Sequence, residues 1–158
     1  DQQEILRKIE VKIKEIHEAV NSMRSIQNQL NFYINVLENH IDKKEDQNDY
    51  DKTILMAKNI EVKLKNWEKK LIQPKQKTFQ DVINFNNKLN AEYINLKDYI
   101  DASEPQVTSG AKDLFNDLNS RSDDLTKEIN QIISEDFKNF DKQYKSLELK
   151  TLLIPKEN

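Results

Sequence analysis

One register runs unbroken through the first quarter of the chain. Leu6, Ile9, Ile13, Ile16, Val20, Met23, Gln27, Leu30, Ile34, Leu37 and Ile41 follow one another in alternating steps of three and four, and only Gln27 is polar. Such steps return side chains to one stripe of an α-helix, and sustained over heptads they make a seam that pairs with other helices. The intervening positions are mostly Lys, Glu, Asn and Gln. At 36% hydrophobic and 34% charged residues, composition alone leaves disorder open. A disordered chain has no reason to hold a register for five heptads. The pattern predicts a helix over about 3–41, on the order of 50 Å long at ~1.5 Å per residue.

Residues 42–51 (DKKEDQNDYD) break the stripe with dense charge and are expected to form the first loop, with Asp49 capping the next helix. A second stripe, Tyr50, Ile54, Ala57, Ile60, Leu64, Trp67 and Leu71, predicts a helix over 50–73, stopped by Pro74. After a connector comes Val82, Phe85, Leu89, Tyr93, Leu96 and Ile100, predicting a shorter helix over 81–101. The segment ASEPQVTSG holds a proline and the single glycine, so it reads as a loop whose Thr108 or Ser109 caps the last helix. That helix, 109–148, carries Leu114, Leu118, Leu125, Ile129, Ile132, Ile133, Phe137, Phe140, Tyr144 and Leu147. Polar residues crowd its stripe at 119–124, where a kink or wider spacing is expected. The apolar tail, 149–158, is expected to fold over one end.

The fold class expected is all-α. One domain, residues 1–158, forms an elongated antiparallel four-helix bundle with long first and last helices and shorter middle ones. In an alternative arrangement the two middle helices lie end to end against the long pair. One glycine and three prolines argue against turn-rich sandwiches, barrels and glycine-rich phosphate loops. Four stripes in one chain can satisfy one another, so a monomer is expected.

The same residues speak against several chemistries. At a net charge of −3, with Lys and Arg spread evenly, nothing resembles a nucleic-acid stripe. No apolar run approaches the ~18 residues of a membrane span. Without cysteine there is neither a disulfide nor a thiolate metal site. His17 and His40 form no paired ligand motif. The acidic loop lacks the order and turn glycine of a calcium loop. Glu135 and Asp136 adjoin on a helix, so their side chains diverge and do not face each other as catalytic carboxylates do. No catalytic residue, cofactor or metal is expected. Trp67 lies on a seam and reads as packing. The candidate partner-contact surface gathers around the third helix and its connector: Phe79, Asn84, Phe85, Asn86, Asn87, Tyr93 and Tyr99 mix aromatic and amide side chains.

Residues 80–90 (QDVINFNNKLN), with WEKKL at 67–71 and EDFKNF at 135–140, resemble the C-terminal helical region of bacterial sortilin-like β-propeller proteins. Those proteins carry BNR (Asp-box) repeats and are labelled glycosyl hydrolases. Asn84, Phe85, Asn86, Asn87, Lys88, Leu89 and Asn90 fit that family's N-F/Y-x-x-x-L-N-x-K-L passage in compact form, and Leu152, Leu153, Ile154 and Pro155 fit its ending. Asp136 to Phe140 depart from its D-x-P-x-x-N passage, with Lys138 in the proline's place. The resemblance implies an appended helical domain of a secreted, periplasmic or cell-envelope protein, exported from a Bacteroidetes-type cell. Any sugar chemistry would belong to the propellers, whose S-x-D-x-G-x-T-W signature this chain lacks. The expected function is a non-catalytic interaction or scaffolding module that contacts neighbouring propeller domains or a protein partner. The alternative is a free-standing coiled-coil surface adhesin or antigen.

Overall fold

The computed structural model describes residues 1–39, 47–73, 88–102 and 106–149. Among them every regular element is helical, and the fold is all-α. The first helix, α1, spans Gln2–Glu38, and Asp1 caps it by accepting a hydrogen bond from the Gln3 backbone N–H at 3.3 Å. Ile9, Ile16, Val20, Leu30, Ile34 and Leu37 of its seam are buried, and Leu6, Ile13 and Met23 pack against them half-buried. Ile41 lies outside the described residues. Gln27 sits in the seam, and its buried Nε2 has no hydrogen-bond partner among the described residues.

The second helix, α2, spans Gln47–Leu71. It starts three residues before the expected position, so Asp49 stands in its first turn, where a carboxylate suits the helix dipole. The Asp49 carbonyl also accepts from Thr53 Oγ1 at 2.7 Å, which gives the fully buried Thr53 hydroxyl a partner. All seven residues of the expected stripe, Tyr50 to Leu71, are buried. The third helix, α3, spans Leu89–Asp101 and buries Leu89, Tyr93, Leu96 and Ile100. It begins later than the expected residue 81, because Lys88 is extended (φ −108°, ψ 173°). Val82, Phe85 and the rest of 74–87 lie outside the described residues.

The last rod is α4, Ser109–Gln131, then a π-helical segment, Ile132–Phe137, then α5, Lys138–Ser146. Thr108, not Ser109, is the cap, its Oγ1 accepting from the Ala111 N–H at 3.2 Å. The kink expected at 119–124 is absent, since that stretch is regular α-helix, and the irregularity falls at the π segment instead. Apolar spacing explains why. Leu118, Ser122, Leu125, Ile129 and Ile132 keep steps of four and three, then Phe137 follows after five, and Phe140, Tyr144 and Leu147 resume three, four, three. A π turn, closing i→i+5 bonds, absorbs that one-residue slip and keeps both halves of the rod facing the core. At the upper end of α4, Ala111 and Phe115 are buried whereas Leu114, expected in the core, is 44% exposed. Of the tail, Leu149 packs partly against the core and 150–158 lie outside the described residues.

The helices meet in ordered pairs. On α1, Glu38 meets Lys58 of α2 at 3.6 Å, and Arg24 Nε donates to Glu68 of α2 at 2.9 Å. Lower on α1, His17 lies 3.1 Å from Asn90 of α3, Glu10 meets Lys97 at 3.0 Å, and Gln2 donates to the Ile100 carbonyl at 2.6 Å. Across the other side, Lys63 meets Asp136 at 2.7 Å, Lys70 meets Glu128 at 2.7 Å, and Trp67 Nε1 donates to the Leu125 carbonyl at 2.9 Å. Tyr93 Oη of α3 donates to Asn119 Oδ1 of α4 at 2.8 Å. Backbone contacts of α1 are confined, among the described residues, to α2 and α3. It reaches α5 through side chains, the Tyr33 ring lying 4.7 Å from Tyr144 and 6.3 Å from Phe140.

Candidate partner-contact surface

The seven residues expected to form a contact surface do not share one environment. Phe79, Asn84, Phe85, Asn86 and Asn87 lie outside the described residues. Tyr93 is 0% exposed and belongs to the core, so its side chain is not offered to a partner. Its place on the Leu89, Tyr93, Leu96, Ile100 stripe is an apolar one, and its single polar atom is satisfied by Asn119. Burial pushes the Tyr93 phenol up to about 12, the Ser122 hydroxyl opposing this as a hydrogen-bond partner and the Asp123 charge reinforcing it. Tyr99 alone of the described pair is on the surface, 56% exposed.

Around Tyr99 the surface is concave. Glu92, Asn95, Leu96 and Tyr99 of α3 recur at three- and four-residue steps, so they line one flank of that helix. Thr108, Gly110, Ala111 and Leu114 face them from the start of α4, and together they enclose an open groove of ≈ 420 Å³. Space is open at Gly110, where a Cβ would meet nothing within 4 Å. The floor is apolar, from Leu96 and Ala111, and the walls are the exposed Tyr99 and Leu114. Of the lining residues, Glu92 is held from α4 by Arg121, whose Nη2 donates to it at 2.9 Å. That hydrogen bond raises the Arg121 pKa, with Asp117 adding to it.

Tandem Leu114-Phe115 is what hid this groove from the sequence: two adjacent helical residues cannot both face one core, and either could have been the inward one. Capping of α4 by Thr108 and burial of Ala111 orient the helix so that Phe115 turns in.

The charged residues elsewhere are mostly engaged with each other. A polar cleft of ≈ 360 Å³ between α2 and the last rod is lined by Lys63, Asn66, Lys70, Glu128, Gln131, Ile132, Glu135 and Asp136. There Lys63 holds Asp136 and Lys70 holds Glu128, while Glu135 accepts from the Gln131 amide at 3.4 Å. His17 sits exposed beside Asn90, and His40 lies outside the described residues. Of the acidic loop, Asp42, Glu45 and Asp46 also lie outside them, while Asp49 and Asp51 are on α2. Among the described residues no three His, Asp or Glu side chains are placed to hold a metal ion. None of the described helices is long and apolar enough to cross a membrane.

Comparison with protein-family models, with curated proteins and with solved structures finds no match to this chain.

Proposed function

We propose that this chain is a non-catalytic helical interaction module that presents the α3–α4 groove to a protein partner. The observation that carries the reading is the groove itself: Tyr99 and Leu114 are exposed apolar side chains that line one concave surface, whereas Val11, Phe32, Leu55, Val62, Ile94 and Ile133, also exposed, do not line it. A Michaelis complex needs converging reactive groups, whereas a contact surface needs a rigid wall with an apolar centre. The groove has the second character.

Its rigidity comes from the arrangement we infer for the helices. Along α1, partner numbers on α2 and on α3 rise as those on α1 fall, so both run opposite to α1. α2 takes the half near Glu38 and α3 the half near Gln2, which supports the end-to-end alternative: a rod with α1 on one side, α2 then α3 as a shared middle course, and α4–α5 on the other. The middle course runs antiparallel to the rod on either side of it. A long helix on each side bridges the break in the middle course.

Attachment to a sortilin-like propeller protein remains the proposed setting and rests on the resemblance of residues 67–71, 80–90 and 135–140. Asp-box repeats encoded in the same reading frame would support it, and their absence from that frame would remove it.

The module reading is tested by immobilising the wild-type chain and a Tyr99→Ala/Leu114→Ala variant at equal helicity and washing both with an extract of the source cells. Proteins retained by the first and lost from the second are the expected result. Identical retained sets count against the groove as the working surface.

A further inference from the structure

Resting on the reading of the groove as a contact surface, we propose that its occupant is an amphipathic helix with Lys or Arg flanking its apolar stripe. The groove follows two helices and is walled along Glu92 to Tyr99, about 10 Å at ~1.5 Å per residue. A straight trough of that kind accepts apolar side chains recurring on one face of a third helix.

The rim supplies the sign of the partner. Outside the wall on α3 stands Asp98, and outside the wall on α4 stand Asp113 and Asp117, one turn apart; all three are exposed. Glu92 lies within the groove lining. Among the described residues Arg121 is the one cation on this side, and it is held by Glu92 and lies 3.7 Å from Asp117. Lys97 turns away to Glu10 on α1. Lys112 falls on the flank of Ala111 opposite to Gly110 and Leu114, away from the groove. Asp98 and Asp113 make no ion pair among the described residues, although the Asp98 charge still acts on Lys97, so the apolar trough is edged by an excess of negative charge.

That charge also argues against a second copy. Two such grooves meeting face to face would set Asp98 and Asp113 of one chain against the acidic rim of the other, which like-charge repulsion disfavours. A cationic helix brings the complementary sign and gains both the apolar wall and the rim.

The test uses the whole chain and two labelled helical peptides that share a Leu and Phe stripe, one flanked by Lys and Arg, the other by Glu. Fluorescence anisotropy is read at 50 and 300 mM NaCl. The proposal expects the cationic peptide to bind at least tenfold more tightly than the acidic one, and to weaken severalfold at the higher salt as the rim is screened. It also expects loss of binding in Tyr99→Ala/Leu114→Ala. In Asp98→Lys/Asp113→Lys, whose changes are exposed and leave the core intact, the preference should reverse. Equal binding of both peptides, still abolished by Tyr99→Ala/Leu114→Ala, overturns the charge inference while leaving the groove as a contact surface. Binding that is absent, or unaffected by the groove variants, overturns the helix inference outright. The module reading then falls only if the extract experiment also shows no difference. Sedimentation showing a dimer that Tyr99→Ala/Leu114→Ala dissociates would assign the groove to a second copy and likewise overturn the proposal.

Discussion

Replacing Tyr93 by Phe should change the alkaline stability of this protein in a direction that depends on pH. The phenol is fully buried, donates to Asn119 Oδ1 at 2.8 Å, and has its pKa pushed up to about 12 from the ordinary 10.0. A folded-state value above the unfolded one means that the unfolded chain releases the proton first. The stabilisation is therefore complete below about pH 10 and is lost as pH climbs towards about 12. Two units correspond to roughly 2.7 kcal/mol at ~1.36 kcal/mol per unit. Phe cannot titrate, so Tyr93→Phe does not share that loss. It does forfeit the bond to Asn119, at a cost of about 0.5–1.5 kcal/mol near pH 8. By about pH 11 the wild type has given up about 1.4 kcal/mol through this residue, so the two stabilities should converge there. Urea unfolding of both proteins at half-unit steps from pH 8 to 11.5 reads the difference, in which the titration of other tyrosines and lysines cancels. A gap between the variants that stays constant over that range would refute the assignment of the alkaline loss to Tyr93.

Other substitutions probe the frame. Gln27→Leu should stabilise by about 1–2 kcal/mol, because it exchanges a buried amide nitrogen, without a partner among the described residues, for seam packing. Chemical denaturation showing no gain would mean that the amide is satisfied in solution. Arg24→Met leaves Glu68, 9% exposed, without its ion pair. A loss of about 1–2 kcal/mol is expected, less than for a fully buried pair because the Arg24 side chain is half-exposed, and a further Glu68→Gln change should recover part of it. Thr108→Ala removes the α4 cap and should cost about 1 kcal/mol, restored by Ser or Asp at that position. An unchanged denaturation midpoint would show that the cap bond contributes nothing.

Much of this frame is legible in the sequence because the helices obey simple steps. The seam of α1 and the stripe of α2 are long and strict, and each expected inward position that is described is buried or half-buried. The third helix is legible only from Leu89 onward, where Lys88 sets its start. The π segment is present in the sequence as a five-residue step from Ile132 to Phe137. The polar crowd at 119–124 masks it by looking like the stronger interruption. That crowd instead serves the bundle: Asn119 receives the Tyr93 hydroxyl and Arg121 holds Glu92 across α3 and α4. The expectation of Tyr93 at the surface fails because tyrosine suits both environments, and only the partner on a neighbouring helix decides between them. The groove depends on which of Leu114 and Phe115 turns inward, a choice made by tertiary packing and not by local pattern.

The arrangement of the middle helices is what the account depends on, and one distance tests it. The chain has no cysteine, so Asn59→Cys and Asp98→Cys place two spin labels without competition. Their neighbours Lys58 and Lys97 meet Glu38 and Glu10, 28 residues apart on α1 (38 − 10). At ~1.5 Å per residue that sets the labels about 42 Å apart when α2 and α3 lie end to end. Pulsed dipolar spectroscopy centred near that separation is the predicted result. A distribution centred below about 25 Å would place the two helices side by side, spanning the same stretch of rod at ~10 Å helix spacing, and would contradict it.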